Sequence, residues 1–357
     1  MTLQEVLDER VASGAERGVQ ACAYRDGVLV ESAAAGVADP ATGRPMTADT
    51  PVFTWSLGKA LTATLVHVLV AQGRLTYDTP VAAVWPEFAA HGKDRVTVRH
   101  ALSQAAGVPA MPPGTTPELL GDWSFQTAAL ADARPWWEPG TALGYHAYTF
   151  GFLLGEVVRR VAGTSLRAAV DALVAGPLGI RGELWFGVPP ADQERLAVLE
   201  DAPGATGWLD AVPDDATFFA AVPRAVVPCA ALGNRPDVLA ADLPAGAKVT
   251  ARAIARTMAA LTGEVDGVRL VPAAQLAELS AVAQQGEDRV VGEPDAWALG
   301  HMTGHPLGGE DPVIRNDGAG GSTVWADLAT GEVVAVTRNR MGTDDDTVLA
   351  VARALRA

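Results

Sequence analysis

The sequence predicts an α+β fold, an antiparallel sheet flanked by helices with a mostly helical second subdomain. Three observations predict it. Asp26-Gly27 joins two alternating segments near the start of the chain, and Thr330-Gly331 joins two more near its end, so strands from both ends are available to one sheet. Between them, apolar residues recur at helical spacing with many Pro and Gly interruptions. Residues 1–74 and 250–357 are therefore assigned to the sheet subdomain, and 75–249 to an inserted helical one.

The opening MTLQEVLDERVASGAERG places Leu3, Val6, Leu7 and Val11 on one helical face, the pattern of a docking helix. It lacks a signal peptide's apolar centre, which predicts a cytoplasmic protein. VQACAYRDGVLVESAAAGVAD reads as two short strands around the Asp26-Gly27 turn. DTPVF leads into a helix beginning near Ser56, where Ala60, Leu61, Ala63, Leu65, Val66, Val68, Leu69 and Val70 leave hardly any polar stripe before Gly73 ends it. LTYDTPVAAVWPEF is rich in turn formers and reads as a loop. Helices follow in VTVRHALSQA, in TFGFLLGEVVRRVAG with Phe150, Leu153, Leu154, Val157, Val158 and Val161 in phase, and in SLRAAVDALVAG. From Thr250, ARAIARTMAALTGE is again amphipathic. Strands return in VIRNDGAGGSTVWAD and EVVAVTRN, and Asp344, Asp345 and Asp346 suit the solvated start of a last helix.

Composition narrows the function. The 357 residues carry 27 Lys and Arg against 42 Asp and Glu, a net charge of −15, so the average surface repels nucleic acid and anionic membrane. Small molecules are the expected partners. No stretch is built to span a bilayer, since even the apolar helix after Ser56 is interrupted by Lys59, His67 and Gln72. Cys22 and Cys229 suggest neither a disulfide framework nor zinc spacing and read as small buried hydrophobes. His301 and His305 are four apart, but Gly304 and Pro306 favour a loop over a helix presenting both to a metal. No metal or cofactor is implied.

Lys59 is out of place in an apolar helix, and its spacing from Ser56 gives a reason for it. Residues three apart share a helix face, with Cβ atoms about 5–6 Å apart. The positive end of the helix and the apolar surroundings both favour a neutral amine, which is a base. Serine needs such a neighbour to become a nucleophile, and a backbone N–H at a helix start can point at a developing oxyanion. The alternative is that Ser56 caps the helix and Lys59 reaches solvent.

DTPVFTWSLGKALTATLVHVLVAQGRL and VWPEFAAHGKDRVTVRHALSQAAGVP resemble the serine beta-lactamase and penicillin-binding-protein superfamily, in particular its class C-like esterases, transacylases and peptidases. The resemblance implies the beta-lactamase/transpeptidase-like fold. It also makes Ser56 and Lys59 the Ser-x-x-Lys motif. WWEPGTALGYHAYTFGFLLGEVVRR is similar to the second motif, with Tyr145 in place and Ala147 where Asn is usual. NDGAGGSTVWAD is similar to the third, with Asn316-Asp317-Gly318 in place of Lys-Thr-Gly.

On this resemblance Ser56 attacks a carbonyl, Lys59 and Tyr145 share acid and base work, and the backbone N–H groups of Ser56 and Ala319 hold the oxyanion. Gly318 and Gly320 let the strand approach the substrate. Asn316 and Asp317 supply no cation and add a negative charge, which disfavours penicillin-like substrates; a neutral ester fits better, or an amine-bearing substrate pairing with Asp317. His146 either bonds the substrate or fills the core. Trp55, Trp123, Trp136, Trp137 and Trp325 either line an acyl pocket or pack internally. The expected function is a serine hydrolase of small carboxylic esters. A transacylase, a D-aminopeptidase or beta-lactamase, and a non-catalytic relative are the alternatives.

Overall fold

In the computed structural model, which describes all residues except Trp208, Asp210, Ala211, Glu310, Asp311 and Ala357, the two ends of the chain build one sheet. Its strands are β1 (Gly18–Arg25), β2 (Val28–Asp39), β3 (Arg44–Pro45), β4 (Gln284–Glu287), β5 (Pro294–Trp297), β6 (Met302–Thr303), β7 (Val313–Asp317), β8 (Thr323–Asp327) and β9 (Glu332–Arg338). Among the described residues they form a nine-stranded antiparallel sheet in the order β3-β2-β1-β9-β8-β7-β6-β5-β4. The seam between the two groups pairs β1 with β9, from Val19 opposite Arg338 to Arg25 opposite Glu332.

Turn chemistry explains both hairpins. Asp26 and Gly27 both have positive φ, 50° and 77°, as the tight turn matching strand twist demands. At the other hairpin Asp327 accepts from the N–H groups of Ala329 and Thr330, and Gly331 takes a φ of 68°. The second strand runs 12 residues, longer than the short strand expected, because its alternation continues to Asp39.

Five helices position the sheet and the site: α1 (Leu3–Ala12), α2 (Gly58–Ala71), α3 (Thr149–Ala162), α4 (Ala251–Thr262) and α5 (Asp346–Arg356). Leu3, Val6 and Leu7 of α1 meet Val348 and Val351 of α5 on one face of the sheet, together with Val19, Trp325, Val334 and Val336. On the opposite face Ile254 and Met258 of α4 join Cys22, Val324, Ala335, Leu65 of α2 and Phe152 of α3 in a single apolar core. Helix α2 is buried almost all round, as its missing polar stripe predicts.

Local expectations shift at three places. SLRAAVDALVAG is helical from Leu166 to Leu178 as expected, but not regular: Leu166–Val170 widens into a π-type stretch at Asp171–Ala175 before Gly176–Leu178 closes it. The helix in VTVRHALSQA stops at Leu102, because Gln104 takes the left-handed conformation at φ 61°. The turn-rich segment after Gly73 contains a short helix, Val81–Val84. No helix among the described residues is long and apolar enough to cross a membrane.

Candidate active site

Backbone pairing sets the position of Ser56. Val52–Phe53 pairs with Lys248–Val249, and the clamp continues as the Thr54 N–H donates to the Ala247 carbonyl (2.8 Å) and the Ala247 N–H to the Trp55 carbonyl (3.2 Å). Trp55 is held at φ 49°, a left-handed conformation that costs a bulky residue about 1–3 kcal/mol. A 3₁₀ turn, Trp55–Leu57, follows, and α2 starts at Gly58. Ser56 therefore stands at the entrance to α2, half-buried and facing a cavity.

Lys59 lies in the first turn of α2 and is 1% exposed. Its Nζ is 2.9 Å from Ser56 Oγ, 2.9 Å from the Tyr145 hydroxyl and 2.7 Å from the Ala147 carbonyl. Ser56 Oγ and the Tyr145 hydroxyl are 2.8 Å apart, closing a triangle of serine, amine and phenol. Burial pushes the amine down to about 7. A neutral Lys59 can donate to the Ala147 carbonyl and the Tyr145 oxygen while its lone pair accepts the Ser56 O–H. Lys248 shows that burial alone does not make a base. It too is pushed down to about 7 by burial, against the charge of Asp242, yet its Nζ is taken up by the carbonyls of Phe186 and Val238.

Tyr145 is held in place by its two neighbours. The buried Gln104 accepts from the Gly144 N–H with its carbonyl (3.1 Å) and from the His146 N–H with Oε1 (2.9 Å), bracketing Tyr145 from both sides. Burial above all raises the phenol to about 12, and the charges of Asp317, Asp288 and Asp295 add to it against the hydrogen bond to Ser56. The phenol therefore stays protonated at neutral pH, which suits a proton donor.

The turn after β7 forms the opposite wall. A Cβ on Gly318 would lie 2.0 Å from the Thr54 carbonyl oxygen, so only glycine lets this turn lie against the segment carrying Ser56. Gly318 N–H donates to the Ser322 carbonyl (2.8 Å), and Arg338, buried in an ion pair with Glu16 (2.9 Å), donates to the Gly320 carbonyl (2.7 Å). Ala319 sits exposed within this turn. Among the described residues, neither its N–H nor that of Ser56 donates to a protein acceptor. Both remain free to donate to a bound oxygen.

A cavity of about 710 Å³ opens over these groups, with Phe53, Trp55, Tyr148, Leu243 and Trp297 in its apolar wall. Ser56, Tyr145, Asp317, Gly318, Ala319 and Gly320 line it, and Lys59 stands behind the first two.

Other expected contacts are not made. His146 is 1% exposed; its Nδ1 faces the Gly144 carbonyl (2.7 Å) and its Nε2 accepts from the Val108 N–H (3.0 Å), so neither nitrogen is left for a substrate. Burial keeps that ring neutral, pushed down to about 4. Asn316 is a strut: it accepts from His301 Nδ1 (2.6 Å) and donates to the Gly300 carbonyl (3.0 Å), pointing to the core while Asp317, one residue on, faces the cavity. Trp325 is fully buried against α1 and α5, since alternation along β8 turns Val324 and Ala326 to the other face. Of the five tryptophans considered for an acyl pocket, Trp55 alone lines the cavity, stacked on Phe53 at 4.2 Å.

The sequence reading missed Trp297, Arg315, Asp288 and Asp295 in the cavity wall, and Gln104 behind Tyr145. Four of them sit in or beside short strands whose register no local pattern reveals. Gln104 belongs to SQAAG, where nothing marks it apart from an ordinary loop polar residue.

The family model described as Beta-lactamase matches residues 3–357 of this chain. The esterase/beta-lactamase LipL of Mycobacterium tuberculosis is 34% identical over 332 residues, covering 89% of this chain and 76% of that protein. Among solved structures, a family VIII carboxylesterase superposes with a TM-score of 0.89 at 31% identity, covering 99% of this chain and 96% of the other. A penicillin-binding-protein homologue from Caulobacter crescentus gives 0.85 at 33% identity, with the same coverage.

Proposed function

The chain belongs to the beta-lactamase family, and we propose that within it the protein is a serine hydrolase that cleaves small carboxylic esters through an acyl-Ser56 intermediate. The observation that carries this reading is the triangle of Ser56, Lys59 and Tyr145, with an amine pushed down to about 7 and a phenol raised to about 12. The similarity to LipL and to a family VIII carboxylesterase supports the ester as substrate.

In the proposed scheme Lys59 takes the Ser56 proton as Oγ attacks the ester carbonyl. The N–H groups of Ser56 and Ala319 hold the resulting oxyanion. As the carbon–oxygen bond to the leaving group breaks, Tyr145 donates its proton to the departing oxygen and is reprotonated by the Lys59 ammonium. Water then attacks acyl-Ser56, its proton passing to the Tyr145–Lys59 pair, and the acid departs with Ser56 restored.

Intact-mass spectrometry after incubation with a fluorophosphonate and with p-nitrophenyl esters tests the reading. Wild type is expected to gain one adduct and to release p-nitrophenol, while folded Ser56→Ala does neither. An adduct or turnover retained in Ser56→Ala refutes the assignment.

A further inference from the structure

We propose that the site takes an ester or amide whose leaving group carries a cationic nitrogen, held by Asp288 in the cavity wall beside Tyr145. The side of the substrate assigned to the cation rests on the serine-esterase reading above.

Asp288 is 1% exposed and lines the cavity. Its Oδ1 accepts from the N–H groups of Val290 (2.7 Å) and Val291 (3.0 Å), but its buried Oδ2 has no hydrogen-bond partner. A buried carboxylate oxygen left without a donor is costly, so its retention at a cavity wall points to a ligand donor. The residue is also rigidly placed. The Asp288 N–H donates to the Glu293 carbonyl and its own carbonyl accepts from Gly292, while the Arg289 N–H reaches the Leu143 carbonyl (2.9 Å), tying this hairpin to the segment that carries Tyr145.

The neighbours reinforce the charge. Asp295 has both oxygens occupied, by the Ala296 N–H (2.8 Å) and the Trp297 indole (2.7 Å). Burial raises its pKa, and the charge of Asp288 adds to the shift. Arg315 is the one cation among the described residues of the lining, and it pairs with Asp317 at 3.6 Å. Asp288 and Asp295 have no ion-pair partner among the described residues. Asp201, Glu293 and Asp345 stand exposed at the rim, where they draw cations toward the opening. The rings of Tyr145 and Trp297, 6.3 Å apart, add aromatic faces of the kind that hold ammonium groups.

The side follows from Tyr145. The Asp288 hairpin is bonded through the Arg289 N–H to Leu143, two residues before Tyr145, and Asp288 lines the same cavity as that phenol, whose hydroxyl protonates the departing atom in the proposed scheme. The cation therefore belongs to the leaving alcohol or amine.

Choline butyrate and 3,3-dimethylbutyl butyrate have the same shape and differ by one positive charge, in the leaving alcohol. Calorimetric titration of Ser56→Ala with each reads binding without turnover, and wild-type cleavage of both is followed alongside. The choline ester is expected to bind at least about tenfold more tightly, equivalent to about 1.4 kcal/mol. That ratio is expected to fall to within about twofold on adding Asp288→Asn, and to shrink between about 0.02 M and about 0.5 M salt. Equal binding, or tighter binding of the neutral ester, overturns the proposal, as does an undiminished preference in folded Asp288→Asn. If that variant does not fold, the unsubstituted ratio and its salt dependence decide. A binding preference without cleavage of either ester or labelling of wild type upholds the subsite and refutes the esterase reading instead.

Discussion

Gly318→Ala perturbs the site without touching any group that transfers a proton. A Cβ at residue 318 would lie 2.0 Å from the Thr54 carbonyl oxygen and 3.1 Å from its carbon, where real Cβ atoms essentially never come within 3.0 Å. Both partners are backbone, so no side-chain rotation relieves the clash. The turn after β7 and the Thr54–Ser56 segment must part by about 1 Å, and these carry the Ala319 and Ser56 N–H groups respectively. A hydrogen bond lengthened from about 2.9 Å by that amount is no longer one. Loss of one oxyanion donor costs about 10² to 10³ in kcat, or about 2.7–4 kcal/mol. KM is expected to change little, because the lost contact forms fully only when the carbonyl oxygen becomes charged. Steady-state cleavage of p-nitrophenyl butyrate, with circular dichroism to establish folding, measures both constants. A folded variant with kcat within about twofold of wild type would refute the assignment of Ala319 to the oxyanion site.

With Lys59 as the base, kcat/KM is expected to rise with pH through an apparent pKa of about 7, since the protonated amine that dominates below it cannot accept the Ser56 proton; a profile flat from about pH 5 to pH 9 contradicts that role. Gln104→Leu removes the acceptor of the His146 N–H, and it is expected to lower kcat more than it raises KM by loosening Tyr145, alongside about 1–3 kcal/mol of lost stability; an unchanged kcat shows that the bracket does not position the phenol. Trp325→Ala is expected to lose about 3–5 kcal/mol in urea unfolding with KM unaltered, because the ring fills the core between sheet, α1 and α5; a KM shift with unchanged stability places it in the substrate site after all.

The parts of the fold legible in the sequence are those set by local rules. Asp26-Gly27 and Thr330-Gly331 mark their hairpins because few residues accept the positive φ of a tight turn. The apolar face of α1 and the all-round burial of α2 follow from spacing alone. The helix break at Gln104 was hidden, because a left-handed glutamine is sustained by the tertiary bonds to Gly144 and His146 rather than by any preference of its own.

The site divides along the same line. Ser56 and Lys59 are three residues apart at the entrance to one helix, so their contact is local and the sequence by itself determined it. Tyr145 was legible through its resemblance to a known motif, but its 2.8 Å approach to Ser56 is made by the fold across 89 residues of chain. Which residues face the cavity was decided by tertiary structure alone. Asn316 and Trp325 carry polar and aromatic chemistry suited to a site, yet strand register turns one to His301 and the other to α1 and α5. The same register, with the hairpin between β4 and β5, brings Asp288, Asp295 and Asp317 to bear on one phenol, and no local pattern encodes a charge field assembled from separate strands.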